Sequence, residues 1–136
     1  MNKSRVRNDI PLIIKVPVPQ TSFNPGAVDT EIYCVNTTKN EFHVSTKSES
    51  FTTIDEESGE TAVHGSIPVQ FDLAPGSAIL IANVEGWEWD GHVGIEIYFR
   101  EKDSKEIKTM RYNFKESNRD YKIESMNLNG RVINPL

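Results

Sequence analysis

Rare residue types converge once in the chain, at EGWEWDGHVG (residues 85–94), which holds both tryptophans, an Asp-Gly pair and one of the three histidines. In an extended segment residues two apart share a side, so Trp87 and Trp89 fall together. Asp90-Gly91 is a favoured two-residue hairpin turn, and a reversal there sets Trp89 across from His92 and Trp87 across from Gly94. Val93, Ile95 and Ile97 then claim the core, which leaves Trp87, Trp89, His92 and Tyr98 as one outward aromatic patch. This patch is the candidate ligand-binding site, because indole and phenol rings serve protein interfaces and also line small-molecule sites such as those for sugars. The alternative is a turn one residue longer or a crossover between two sheets, in either of which the parity flips and the indoles enter the core or its rim.

Catalytic chemistry has less to stand on. His43, His64 and His92 lack the spacing of a metal motif, although with Asp90 they make the one ligand set from which a metal-dependent hydrolase could be built. Ser77 follows Pro75-Gly76 but lacks the G-x-S-x-G elbow that exposes a nucleophile. Cys34 is the only cysteine, so no intramolecular disulfide forms, and its strand-like setting suits packing better than reactivity. Glu85 and Glu96 face one another if the hairpin forms, with nothing to confine a substrate between them. The acidic run DEESGE lacks the alternating oxygen-ligand spacing of a calcium loop. The expectation is no enzyme, no catalytic residue, no cofactor and no metal.

The elements that must position the patch are strands. From Ile10 to Val18, Leu12, Ile14, Val16 and Val18 recur at period two, and Pro11 and Pro17, which cannot donate to a ladder, assign this strand to a sheet edge. TEIYCVNT is apolar on both faces, with Ile32 and Cys34 on one and Tyr33 and Val35 on the other. A turn at Thr37–Asn40 leads into EFHVST as a hairpin, with Phe42 and Val44 inward. Lys47 to Glu60 is the most polar stretch and reads as a loop. Ile67, Val69, Phe71 and Leu73 alternate with Pro68, Gln70 and Asp72, and Ala74–Ser77 is a strong turn signal. AILIANV, apolar on both faces, reads as a central strand. VGIEIYFR and EIKTMRYNFK form a hairpin over a polar tip at Lys102–Lys105, with Ile95, Ile97 and Phe99 inward and Met110, Tyr112 and Phe114 in register. DYKIESMNLNGRVINPL adds one or two short strands, with Asn129-Gly130 as a tight-turn candidate. No segment shows helical periodicity.

The fold class is therefore all-β, an antiparallel β-sandwich of about seven to nine strands, with a β-barrel or jelly roll as the alternative. A length of 136 residues, 37% hydrophobic and 26% charged, suits a single globular domain over 1–136, with residues 1–9 as a flexible tail. A net charge of -5 gives no electrostatic footprint for nucleic acid. Near the N-terminus, Pro11, Lys15, Pro17 and Pro19 break the apolar run, so it is a poor signal peptide, and no run is long enough to span a membrane. The default address is cytoplasmic, or extracellular if a leader has been trimmed.

The succession TEIYCVNTT, EFHVST, IPVQFDLAPGSAILI and VGIEIYF resembles the strand order of prokaryotic immunoglobulin-like domains, over roughly residues 30 to 114. The resemblance implies an immunoglobulin-like sandwich and carries over no functional residue. Cys34 has no second cysteine with which to make the disulfide of antibody domains. The function expected is a non-catalytic binding or assembly module acting through its surface on a protein partner, on copies of itself or on carbohydrate. A structural part of a larger surface or virion assembly is the alternative reading, and the His43/His64/His92/Asp90 hydrolase is the second.

Overall fold

The computed structural model describes residues 9–18, 29–55, 60–65, 69–84, 92–114, 117 and 119–135. These residues form ten strands: β1 (Leu12–Val18), β2 (Asp29–Val35), β3 (Phe42–Asp55), β4 (Glu60–Gly65), β5 (Val69–Leu73), β6 (Ala78–Val84), β7 (His92–Glu101), β8 (Ile107–Asn113), β9 (Asp120–Ile123) and β10 (Leu128–Val132). No helix occurs among the described residues, and in particular none long and apolar enough to cross a membrane. All pairings are antiparallel. The first sheet runs β6-β2-β1-β10-β9, and the second β4-β3-β7-β8. β5 shares an edge of β3 with β4, pairing with residues 42–46 where β4 pairs from Glu49 onward. The fold is thus an open β-sandwich and not a closed barrel.

The period-two pattern builds the core. Ile95, Ile97 and Phe99 of β7, Phe42 and Val44 of β3 and Tyr112 of β8 lie buried against Ile13, Ile32 and Cys34 of the first sheet. A second apolar cluster occupies the opposite face of the first sheet, where Leu12, Ile14, Val16, Tyr33 and Val35 meet Ile123 and Val132. This explains why β2 reads as apolar on both sides.

Several sequence expectations are revised by the pairing. β1 is not an edge strand, since it lies between β2 and β10. The carbonyl of Ile13 accepts from the N–H of Ile133 at 2.8 Å, so Pro11, Ile13, Lys15 and Pro17 turn their backbones toward β10. β10 pairs with only Ile14 and Lys15 of β1, so the missing N–H of each proline falls where the ladder is absent. The stretch 47–60 is not a loop throughout, because β3 continues to Asp55 between β4 and β7. Its Ser and Thr content reflects polarity, not backbone state. β2 and β3 do not form a hairpin: Thr37–Asn40 lies on a corner that carries the chain from one sheet to the other. AILIANV is not central either: among the described residues β6 is the outermost strand of the first sheet.

Asn129-Gly130 is strand rather than turn. The reversal between β9 and β10 falls at Glu124–Asn127, where Asn127 takes a φ of 53°. Gly130 serves a different need. A Cβ there would stand 2.5 Å from the carbonyl oxygen of Lys15, 2.8 Å from Ile14 Cγ2 and 2.9 Å from Val16 Cγ2. One of these neighbours is backbone and cannot swing aside. Gly130→Ala should therefore cost about 1–3 kcal/mol through overpacking, read as a lower urea midpoint at unchanged slope.

Candidate functional site

Of the expected aromatic patch, only Tyr98 has a described side chain. Trp87, Trp89 and Asp90 lie outside the described residues, and His92 is placed by its backbone register alone, opposite Phe51 of β3. The Asp90-Gly91 turn that was to assemble the patch lies outside the described residues. β6 and β7 belong to different sheets, and Gly94, the expected partner of Trp87, already has Glu49 on one side and Asn113 on the other.

The register also separates the three histidines. His64 is opposite Ser50 and His92 opposite Phe51, and neighbouring residues of β3 alternate faces, so the two occupy positions of opposite parity. His43 lies eight residues from Phe51 along the same strand, about 26 Å away at 3.3 Å per residue. Its Nδ1 is 2.9 Å from Asp72 Oδ1, an exposed cross-strand pair between β3 and β5. Among the described residues no group of three or more His, Cys, Asp or Glu stands close enough to hold one. Cys34 is fully buried, and desolvation pushes its thiol far above the ordinary range.

Tyr98 lies on the outer face of the second sheet, as its parity predicts, and is half-buried. Around it the register lays out a polar grid. His43, Ser45 and Lys47 of β3 stand opposite Arg100, Tyr98 and Glu96 of β7, and Thr109 and Arg111 of β8 stand beyond. The Tyr98 hydroxyl donates to Glu96 Oε1, and Arg111 Nε donates to Glu96 Oε2 at 2.8 Å. First the tyrosine bond and then the guanidinium hold the Glu96 carboxyl below the usual carboxylate range. A carboxyl with a lowered native pKa stabilises the fold above its ordinary titration and loses that contribution as pH falls through the native value. Carbon-13 titration should therefore place the Glu96 midpoint below 4.5, and Arg111→Ala should move it upward. Within the grid His43 pairs with Asp72, and Tyr98 and Arg111 converge on Glu96.

The feature that sequence reasoning missed is the outer edge of β6, which among the described residues pairs with β2 alone. Asn36 donates its N–H to the Ser77 carbonyl at 2.9 Å and accepts from the Gly76 N–H at 2.8 Å. Alternation from that point turns Ile79 toward β2, opposite Cys34, and turns the N–H and C=O of Ala78 and Leu80 away from it. β6 contains neither charge nor proline, and Leu80, across from Tyr33, is 39% exposed. Ile79 and Ala82 pack on the core between the sheets. An edge of this kind, without the lysines, prolines or inward charges that usually blunt one, is a template for another strand. Its apolar composition was legible, but its place in the sheet was not.

Comparison with family models, with curated proteins and with solved structures gave no match to the chain.

Proposed function

We propose that the chain is a non-catalytic assembly module of immunoglobulin-like type, which adds a strand to the open edge of β6, and that the strand comes from a second copy of itself. The observation that carries this reading is the uncharged, proline-free edge with Leu80 exposed beside it. Self-pairing suits it. An antiparallel two-fold apposition sets Ala78 and Leu80 against Leu80 and Ala78 of the other copy, satisfying the outward N–H and C=O groups of both without opposing like charges. The immunoglobulin-like part of the proposal is supported by strand order. β6-β2-β1 in one sheet and β3-β7-β8 in the other follow the E-B-A and C-F-G arrangement of that architecture.

Light scattering after size exclusion, from about 10 µM to 1 mM, tests the proposal. The mass should rise with concentration from 15.4 kDa toward twice that value. Leu80→Lys, which places a charge on the edge without touching the inter-sheet core, should remain a monomer. A wild-type mass that stays at the monomer value would overturn self-pairing. Saturable quenching of tryptophan by a glycan in that monomer would favour carbohydrate instead.

A further inference from the structure

We infer that Asn129-Gly130 is a self-modification site, where the asparagine converts to aspartate and isoaspartate, and that the β9–β10 ladder holds it shut until β9 peels away. The site is independent of the β6 edge, which lies at the opposite end of the first sheet. Asn129-Gly130 is the one Asn-Gly pair in the sequence. Glycine has no side chain to shield its backbone nitrogen, so in an unstructured chain that nitrogen readily reaches the preceding side-chain amide. The Gly130 nitrogen gives up its proton to solvent and attacks Asn129 Cγ. The Cγ–Nδ2 bond breaks, and Nδ2 leaves as ammonia with a proton taken from water. Water then opens the five-membered imide. Cleavage of the new Cγ–N bond gives aspartate, and cleavage of the original peptide bond gives isoaspartate. Nothing is oxidised or reduced, and the net change is water taken up and ammonia released.

The fold leaves the electrophile in solvent and withholds the nucleophile. Asn129 is exposed, whereas Gly130 is buried. Val132 donates its N–H to the Arg119 carbonyl at 2.8 Å, and alternation along β10 turns the Gly130 N–H the same way, toward Tyr121 of β9. Ring closure needs this nitrogen unpaired and Asn129 rotated out of the extended region, and the strand denies both. Release is local. β9 is four residues long, pairs among the described residues with β10 alone, and has Ile123 as its one buried residue. β10 in turn pairs with only Ile14 and Lys15 of β1. An end strand of this kind opens at less than the cost of global unfolding. The two products then differ. Aspartate at position 129 stands opposite Lys122, a favourable cross-strand pair. Isoaspartate lengthens the backbone by a carbon and puts Gly130 and Val132 out of step with β1, where a Cβ on Gly130 would already lie 2.5 Å from the Lys15 carbonyl oxygen. Modified in that way, the hairpin cannot reclose in register.

The test keeps the full chain dilute at mildly alkaline pH and follows its tryptic peptide Ile123–Arg131 over time by mass spectrometry with fragmentation. That peptide also carries Asn127, whose following nitrogen is shielded by the Leu128 side chain. A synthetic peptide of the same sequence in the same buffer gives the unprotected rate. Modification at Asn129 and not at Asn127 is expected, slowed in the folded chain by roughly 10- to 100-fold, the worth of one isoleucine exposed as β9 opens. Ile123→Ala should speed it by about tenfold. Thr38→Val, which weakens the fold at the corner between β2 and β3, should leave the rate unchanged, and far-ultraviolet spectra that coincide with wild type establish that both variants are folded. The aspartate form should keep hydrogen-exchange protection at Gly130 and the isoaspartate form should lose it. A folded-chain rate equal to that of the peptide would overturn the lock. Slowing by the full global unfolding constant, about a thousandfold or more, or acceleration by Thr38→Val, would overturn the local opening.

Discussion

Replacing Phe99 with alanine should remove about 3–5 kcal/mol from the stability of the domain, a large share of the roughly 5–15 kcal/mol that a domain of this size possesses. Phe99 is fully buried on β7 and meets Phe42 edge-on, with ring centroids 6.4 Å apart at 89°. Its strand has β3 on one side and β8 on the other, so no neighbouring element is free to collapse into the space left behind. The next residue toward the N-terminus supplies the control. Tyr98→Ala should cost about 1 kcal/mol, because the ring is half-buried on the outer face, where its hydroxyl bonds Glu96. Urea denaturation of the two variants reads the parity of β7 directly. A slip of one residue would reverse their order, and with it the polar grid and every cross-strand pair assigned to that face.

That parity was legible in the sequence for a simple reason. Ile95, Ile97 and Phe99 alternate with Glu96, Tyr98 and Arg100, Tyr112 and Phe114 answer them, and a polar tip joins the two runs. Local period and local turn chemistry suffice for a hairpin. Neighbours in a sheet are another matter, because they depend on residues far apart in the chain. AILIANV carries apolar residues on both sides whether it lies in the middle of a sheet or at its end: at the end, Leu80 continues the apolar face of Tyr33 while Ile79 and Ala82 still pack on the core. The prolines of β1 point to an edge, and they do occupy one locally, since the β10 ladder stops short of both. The cross-strand row of Lys15, Arg131 and Asp120 illustrates the same difficulty. These residues sit in three unremarkable segments, and only the register of β1, β10 and β9 makes them neighbours. Thr37–Asn40 was legible as a turn, but the residue before it, Asn36, was not legible as the post to which two sheets are tied.

Asn36 is that post. Its side chain is fully buried and fully bonded: Oδ1 accepts from the Thr38 N–H at 3.0 Å and the Thr38 hydroxyl at 2.7 Å, and Nδ2 donates to the carbonyls of Asn40 at 2.8 Å and Leu73 at 2.9 Å. Asn36→Ala takes the amide away from those two carbonyls, and at about 1–3 kcal/mol for each buried group left unpaired, a loss of about 3 kcal/mol is expected in urea. A loss below about 1 kcal/mol would show that water replaces the amide there. Asn36→Asp should be worse near neutral pH, since a buried carboxylate would face the same two carbonyl oxygens. Its pKa would be raised, so the native state would hold a proton that the unfolded chain releases, and the deficit against wild type should widen as pH rises through the ordinary carboxyl range. The alanine variant should show no such trend. The Asn36 backbone also fixes the Ala74–Ser77 corner from which β6 departs, so loosening this residue should weaken the proposed self-association along with the fold. Thr38→Val, which removes one donor to Oδ1 and leaves both Nδ2 bonds in place, should spare the dimer while costing about 1 kcal/mol of stability. That separation would assign the tethering of β6 to Asn36 itself and not to the turn around it.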